Sequence, residues 1–115
     1  VGKNVAVITA KDHGAYLIQR IARLRELPGY SKMFAYHNIF SPRFIRYVDT
    51  VNTSSGIPHI SLKQIREYAM PTPCIEEQTK IANYLSNLDT KIEQVTQQTE
   101  KTVEFKRGLL QQLFV

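Results

Sequence analysis

From Pro73 to the C-terminus the apolar positions follow one long helical rhythm. Ile81, Leu85, Leu88, Ile92 and Val95 recur at steps of four, three, four and three, the seam of a helix that packs lengthwise on another helix. After Pro73 there is no further proline, and the single glycine is Gly108. About 38 residues at ~1.5 Å each predict a rod of roughly 57 Å. What precedes the rod is too small to cover it end to end, so most of it must meet a partner helix. Continued in heptads, the seam reaches Thr99, Thr102 and Lys106 before Leu109 and Leu113. A second phase fits better: Ile81, Ile92, Val103 and Phe114 stand eleven apart, as do Leu88, Thr99 and Leu110. That period predicts a nearly straight rod with a polar waist at 96–102. The candidate helix-pairing interface is Ile81, Leu85, Leu88, Ile92, Val95, Val103, Leu110 and Phe114. For the first two turns only, a helix lying on its own domain is the competing reading.

Upstream the pattern is shorter in range. Val5–Thr9, a β-branched apolar run, reads as a buried strand, and Lys11-Asp12-His13-Gly14 as a turn with Gly14 free to take positive φ. Tyr16–Arg25 fits a helix through Leu17, Ile21 and Leu24 and gives no clean alternation; a strand following the first is favoured. Leu27-Pro28-Gly29 breaks that element. Ser31 and Ser41 are placed as N-caps of two successive helices, the second with Pro42 at its first position and with Arg43 and Arg46 on one face. Tyr30, Phe34, Tyr36, Phe40, Phe44 and Tyr47 make this the aromatic centre, mostly core, with base stacking the lesser reading for one or two rings. Residues 51–59 read as a loop, Ser61 as the cap of a short helical turn, and Tyr68–Met70 as a short strand closed by Pro71-Thr72-Pro73. The expected class is therefore α+β: a small domain of short strands and helices over residues 1–73, then one long C-terminal helix over 74–115.

Charge sharpens this division. Residues 1–60 hold eight Lys and Arg against three acids, while residues 61–115 hold seven of each. The whole excess of +5 thus sits ahead of the rod. A basic surface on one part suggests phosphate contact, with an ordinary solvated surface as the alternative. The 115 residues give room for one domain at most, and the chain opens at Val1 rather than methionine, as an excised piece would. No run approaches the ~20 apolar residues of a membrane span, and a signal-peptide pattern is absent. A single cysteine, Cys74, excludes an internal disulfide and CxxC metal sites, pointing to a reducing cytoplasm. Cys74 reads as a packed thiol. His13, His37 and His59 are too scattered for a metal site, and no nucleophile–base pair or phosphate-cradling glycine loop stands out.

One block of motifs is distinctive. Ile60-Ser61-Leu62 with Ile65, then Pro71 and Pro73, then Glu77, Gln78, Ile81, Ala82, Leu85, Asp89 and Ile92, closes with Lys106, Gly108, Leu109, Leu110, Gln111, Gln112, Leu113 and Phe114. With the upstream FSPRFIRYV, this resembles the specificity subunit of type I restriction–modification enzymes, over about residues 33–115. The resemblance implies a target-recognition domain that reads one half of a split DNA site, followed by a conserved spacer helix that pairs antiparallel with a second one. The pair would set the distance between half-sites and dock the methyltransferase subunits, and through them the restriction subunits. It implies no catalytic residues here: S-adenosylmethionine, ATP and Mg would be bound by those partner subunits, in a bacterial or archaeal cytoplasm. The family's recognition domain is longer than ~75 residues, so residues 1–73 would be an incomplete one. A half-subunit of this kind would homodimerise through its helix.

With double-stranded DNA as the implied partner, arginine is the natural reader, since guanidinium binds guanine O6 and N7 or clamps phosphate, while hydroxyls and backbone N–H groups anchor phosphate. The candidates are Lys11, His13, Arg20, Arg23 and Arg25 on the strand–turn face, and Thr53, Ser54, Ser55, Gly56 and His59 in the loop. For any one of them a solvated surface residue is the alternative. Glu76, Glu77 and Gln78 at the helix start, and Lys106 and Arg107 toward its end, are explained by the helix dipole without a chemical role. A different class, an assembly module that only orients a dimerising rod, would have no reason to load its positive charge ahead of the rod.

Overall fold

The computed structural model describes residues 5–18, 21–52 and 60–114. Four α-helices follow one another, α1 (Lys32–Ile39), α2 (Pro42–Val51), α3 (Leu62–Glu67) and α4 (Ile75–Leu113), preceded by a short 3-10 turn at Ala10–Asp12. The chain divides into two compact units, Val1–Ala82 and Asn83–Val115. The first holds the turn, the three short helices and the opening turns of α4; the second is the remainder of α4.

Each short helix begins where a serine supplies an oxygen to an otherwise unpaired N–H. Ser31 Oγ accepts from the Phe34 amide at 3.3 Å, Ser41 Oγ from Phe44 at 3.4 Å and Ser61 Oγ from Gln64 at 3.2 Å. Pro42 occupies the first turn of α2, where its missing N–H has no partner to lose. The chain enters α1 through a turn in which the Tyr30 amide donates to Leu27 O at 3.0 Å. Pro28 stands second in it and Gly29 third with φ of 82°, a left-handed position open to glycine at no steric cost. The same turn brings Glu26 back to accept from the Lys32 amide at 3.2 Å, a carboxylate at the positive end of α1.

The core of the first unit is small and aromatic. Phe34 is buried, and Tyr68 meets Phe44 edge-on at 4.9 Å and Tyr47 at 5.1 Å between ring centroids. Polar links bind the same elements together. Tyr47 Oη donates to Gln64 O at 2.6 Å, Gln64 Nε2 to Val51 O at 2.8 Å, and Tyr68 Oη to Asn38 Oδ1 at 3.0 Å. Tyr36 and Phe40, one helical turn apart, stack with planes 13° apart. Phe40 and Tyr30 are exposed rather than core.

The expected strands are absent: among the described residues there is none, and the class is helical rather than α+β. Residues 5–9, 15–18 and 21–27 lack helix but meet no second strand, so the ladder that would define a sheet is missing. VAVIT is not buried either; Val5 and Val7 are half-covered and Ile8 is 60% exposed. A β-branched run biases the backbone, but only a paired neighbour turns that bias into a strand. Tyr68–Met70 also forms no strand, because other partners hold it: the Tyr68 ring and hydroxyl face α1 and α2, and Ala69 O accepts from Arg43 Nη2 at 3.4 Å.

The long helix runs unbroken over 39 residues. Glu76 and Glu77 lie in its first turn, as the dipole favours, but its last turn carries no base. Lys106 and Arg107 end too early for an effect confined to the terminal turn. No helix among the described residues is long and apolar enough to cross a membrane.

Candidate nucleic-acid interface and pairing face

The N-terminal turn that carries Lys11 and His13 is fixed by two residues at its foot. The Thr9 amide donates to Asp12 Oδ2 at 2.8 Å and the Thr9 hydroxyl to the same oxygen at 2.9 Å. Those two bonds, the backbone one first, hold the Asp12 carboxyl below its ordinary range by favouring the charged form. Gly14 follows at φ of 85° and turns the chain out of the 3-10 segment. Lys11 and His13 are both exposed, His13 as the residue that closes the segment.

Arg23 and Arg25 lie farther along, on the non-helical stretch before the Leu27 turn, with their side chains in solvent. Ile21 before them and Leu24 between them are also about half exposed. Lys32 and Arg46 add two further exposed cations on α1 and α2, whereas Arg43 is tied to Ala69. Arg20 and the loop candidates Thr53, Ser54, Ser55, Gly56 and His59 lie outside the described residues. Exposed guanidinium and ammonium groups have the chemistry that binds polyanions.

On α4 two faces separate. Within the first unit Gln78 and Ala82, one turn apart, are buried, and Gln78 is the most enclosed side chain at 1% exposure. Its Nε2 donates to Pro73 O at 2.8 Å and Gly29 O at 3.4 Å, while its Oε1 accepts from the Ser31 amide at 3.0 Å. The opening turns thus do lie on their own unit, through this face. Ile81 remains exposed, as do Leu88, Ile92, Val95, Val103, Leu110 and Phe114, with Leu85 half-covered. Cys74, expected to be packed, is exposed just ahead of the helix.

The sequence marks Gln78 as a motif residue at a dipole-favoured helix start, without assigning it a contact, and passes over Gln64. Gln64 had a local signal, since Ser61-x-x-Gln64 is a capping-box spacing and its Oε1 accepts from the Ser61 amide at 2.8 Å. For Gln78 the motif was the only signal, because two of its three partners lie 47 and 49 residues away and the third is the Pro73 carbonyl just ahead of the helix.

A small basic unit thus continues in sequence into a long helix with five bases against six acids, the make-up of a binding and assembly module. Comparison with known proteins narrows that class. Residues 4–104 match the family described as type I restriction modification DNA specificity domain, and the chain belongs to that family. It is 32% identical over 68 residues to the type I restriction enzyme MjaVIII specificity subunit of Methanocaldococcus jannaschii, covering 59% of this chain and 16% of that protein. A second protein of the same organism, provisionally named the type I restriction enzyme MjaX specificity subunit, is 28% identical over 120 residues, covering 99% of this chain and 27% of the relative. The chain therefore spans well under a third of the length of the curated relatives it matches. No solved structure gives a significant match.

Proposed function

We propose that the chain is a non-catalytic DNA-recognition and spacing module of a type I restriction–modification enzyme. Its first unit contacts double-stranded DNA and α4 pairs with a second helix to hold two recognition elements a set distance apart. The observation that carries this reading is the partition of charge: the excess of five positive charges lies entirely within residues 1–60, while α4 carries five bases against six acids. Family membership supports the choice of DNA among polyanions. Lys11, His13, Arg23 and Arg25 are the exposed groups proposed to touch it, with Arg20 and the loop of Thr53, Ser54, Ser55, Gly56 and His59 completing the surface. The paired helices would also dock the methyltransferase subunits, and through them the restriction subunits. S-adenosylmethionine, ATP and Mg would be handled by those partners.

A salt titration of binding to double-stranded DNA tests the central claim. Each phosphate neutralised contributes a slope of about −0.9 in log K against log salt. A steep slope is expected, and one near zero would remove phosphate contact from the account.

A further inference from the structure

Resting on the DNA contact just proposed, we infer that Gln78 is a positioning residue for it: its buried amide holds in place the stretch that carries Arg23 and Arg25. Every residue from 21 to 30 is exposed, and residues 21–27 form neither helix nor strand. With no ladder or helix along the stretch to set the direction of its arginines, that direction comes from where the stretch ends. It ends at the Leu27–Tyr30 turn, closed by the Tyr30 amide donating to Leu27 O at 3.0 Å.

Two side chains pin that turn. Glu26 accepts from the Lys32 amide at 3.2 Å, but both residues are exposed and water competes for the bond. Gln78, at 1% exposure, cannot itself touch DNA. Its Nε2 donates to Gly29 O inside the turn at 3.4 Å, and its Oε1 accepts at 3.0 Å from the amide of Ser31 directly after it. The other Nε2 hydrogen goes to Pro73 O at 2.8 Å, which references the turn to the backbone just ahead of α4.

The start of α4 does not need this group for itself, since Glu76 and Glu77 already complement its dipole from the surface. Burying a polar side chain is unfavourable unless its bonds are made, and here the bonds made are those that join the turn to the helix. A carboxamide supplies two donors and an acceptor from one neutral group, which suits two carbonyls and an amide. Without those bonds Arg23 and Arg25 keep their charge but lose a fixed approach. Ordering the stretch then costs affinity at the moment of binding.

A double-mutant cycle on the whole chain, read by binding to a mixed-sequence DNA duplex, tests this. Gln78→Met fills similar space without the bonds, and circular dichroism sets a temperature at which every variant is folded. With the arginines present it is expected to weaken binding about tenfold, the cost of fixing roughly one residue's backbone on binding. In an Arg23→Ala, Arg25→Ala background the same substitution is expected to change binding by no more than about twofold, the scatter of independent sites. Gly29→Ala strains the same turn at its φ of 82°, with open space around the new methyl, and serves in the same cycle if Gln78→Met does not fold. An equal loss in both backgrounds, no loss in either, or no effect of removing the arginines would overturn the positioning role while leaving DNA contact standing. A wild-type chain that binds no duplex, or binds it with a flat salt dependence, would overturn DNA contact itself and the inference with it.

Discussion

Gln78 Oε1 accepts the backbone N–H of Ser31 at 3.0 Å, joining the fourth residue of the long helix to the N-cap of α1 across 47 residues of sequence. The same amide group donates to Gly29 and Pro73 carbonyls, so one enclosed side chain fastens the Leu27–Tyr30 turn to the opening of α4. A first unit with so little buried apolar surface depends heavily on such bonds. Gln78→Ala should destabilise that unit by roughly 1–3 kcal/mol, the cost of leaving a covered backbone group unpaired, read as a lowered denaturation midpoint. Gln78→Glu should be at least as damaging at neutral pH, because a carboxylate turned toward two carbonyls cannot donate. Its pKa would be raised in the folded state, so the penalty appears as pH rises through the ordinary glutamate range and fades in acid. A Gln78→Glu protein with a pH-independent midpoint would contradict the assigned bonds.

Gln64 offers a second check on how the short helices are held. It closes the capping box with Ser61 and also donates to Val51 at the end of α2. Ser61→Ala removes only the cap and should cost about 1 kcal/mol. Gln64→Ala removes both ties and should cost measurably more. Equal effects in urea titrations would show that the Val51 bond adds nothing.

Helix starts, breakers and the long helix were legible because each depends on residues within one or two turns. Ser31, Ser41 and Ser61 cap the helices expected of them, and Gly14 and Gly29 take the positive φ their turns require. The strands were misread because extended preference is local and pairing is not; Val5–Thr9 has the composition of a strand and no neighbour to make it one. The structural role of Gln78 was not legible for the same reason, since two of its three bonds go to a turn far upstream. The basic character of the first unit could be counted directly, whereas the turn that carries Lys11 and His13 is fixed by bonds between Thr9 and Asp12 that composition does not announce.

That turn gives a pH prediction. Asp12 is held below its ordinary pKa by the Thr9 amide and hydroxyl. A depressed carboxylate lends the turn stability that is present above the ordinary aspartate range and is lost as pH falls through the lower, folded-state value. The Thr9 amide resonance should titrate with Asp12 at that lower midpoint. Thr9→Ala, which removes only the hydroxyl bond, should move the midpoint part of the way back up. An unchanged midpoint would show that the hydroxyl contributes nothing to holding the carboxylate.

Arg23 and Arg25 are exposed, and the proposed function gives them phosphates or base edges to meet. Replacing either with alanine should weaken binding, and if it touches phosphate the salt slope should fall by about one unit across all sequences. A base-reading arginine would instead lose affinity mainly for the cognate site, by roughly 1–3 kcal/mol. Lys101→Ala, on the second unit, should leave DNA binding alone. If Lys101→Ala weakened binding as much as Arg23→Ala, charge in general rather than a surface of the first unit would be responsible.

The waist of α4 can be probed without disturbing the single helix. Thr99 already spends its hydroxyl on Val95 O, so Thr99→Val exchanges a satisfied polar group for a methyl of similar shape. Threonine and valine have similar helix propensities, and the unpaired chain should keep its helicity within about 0.5 kcal/mol. If Thr99 lies at the centre of an antiparallel pair, each copy buries one more methyl at about 0.8 kcal/mol. Two copies then tighten the dimer by about 1.6 kcal/mol, slightly more than tenfold in Kd. Thr90→Val makes the same exchange at a hydroxyl bonded to Ser86 O, outside the seam, and should leave the dimer unchanged. Sedimentation equilibrium on the two variants separates a buried waist from a solvated one: equal dissociation constants would place Thr99 outside any interface.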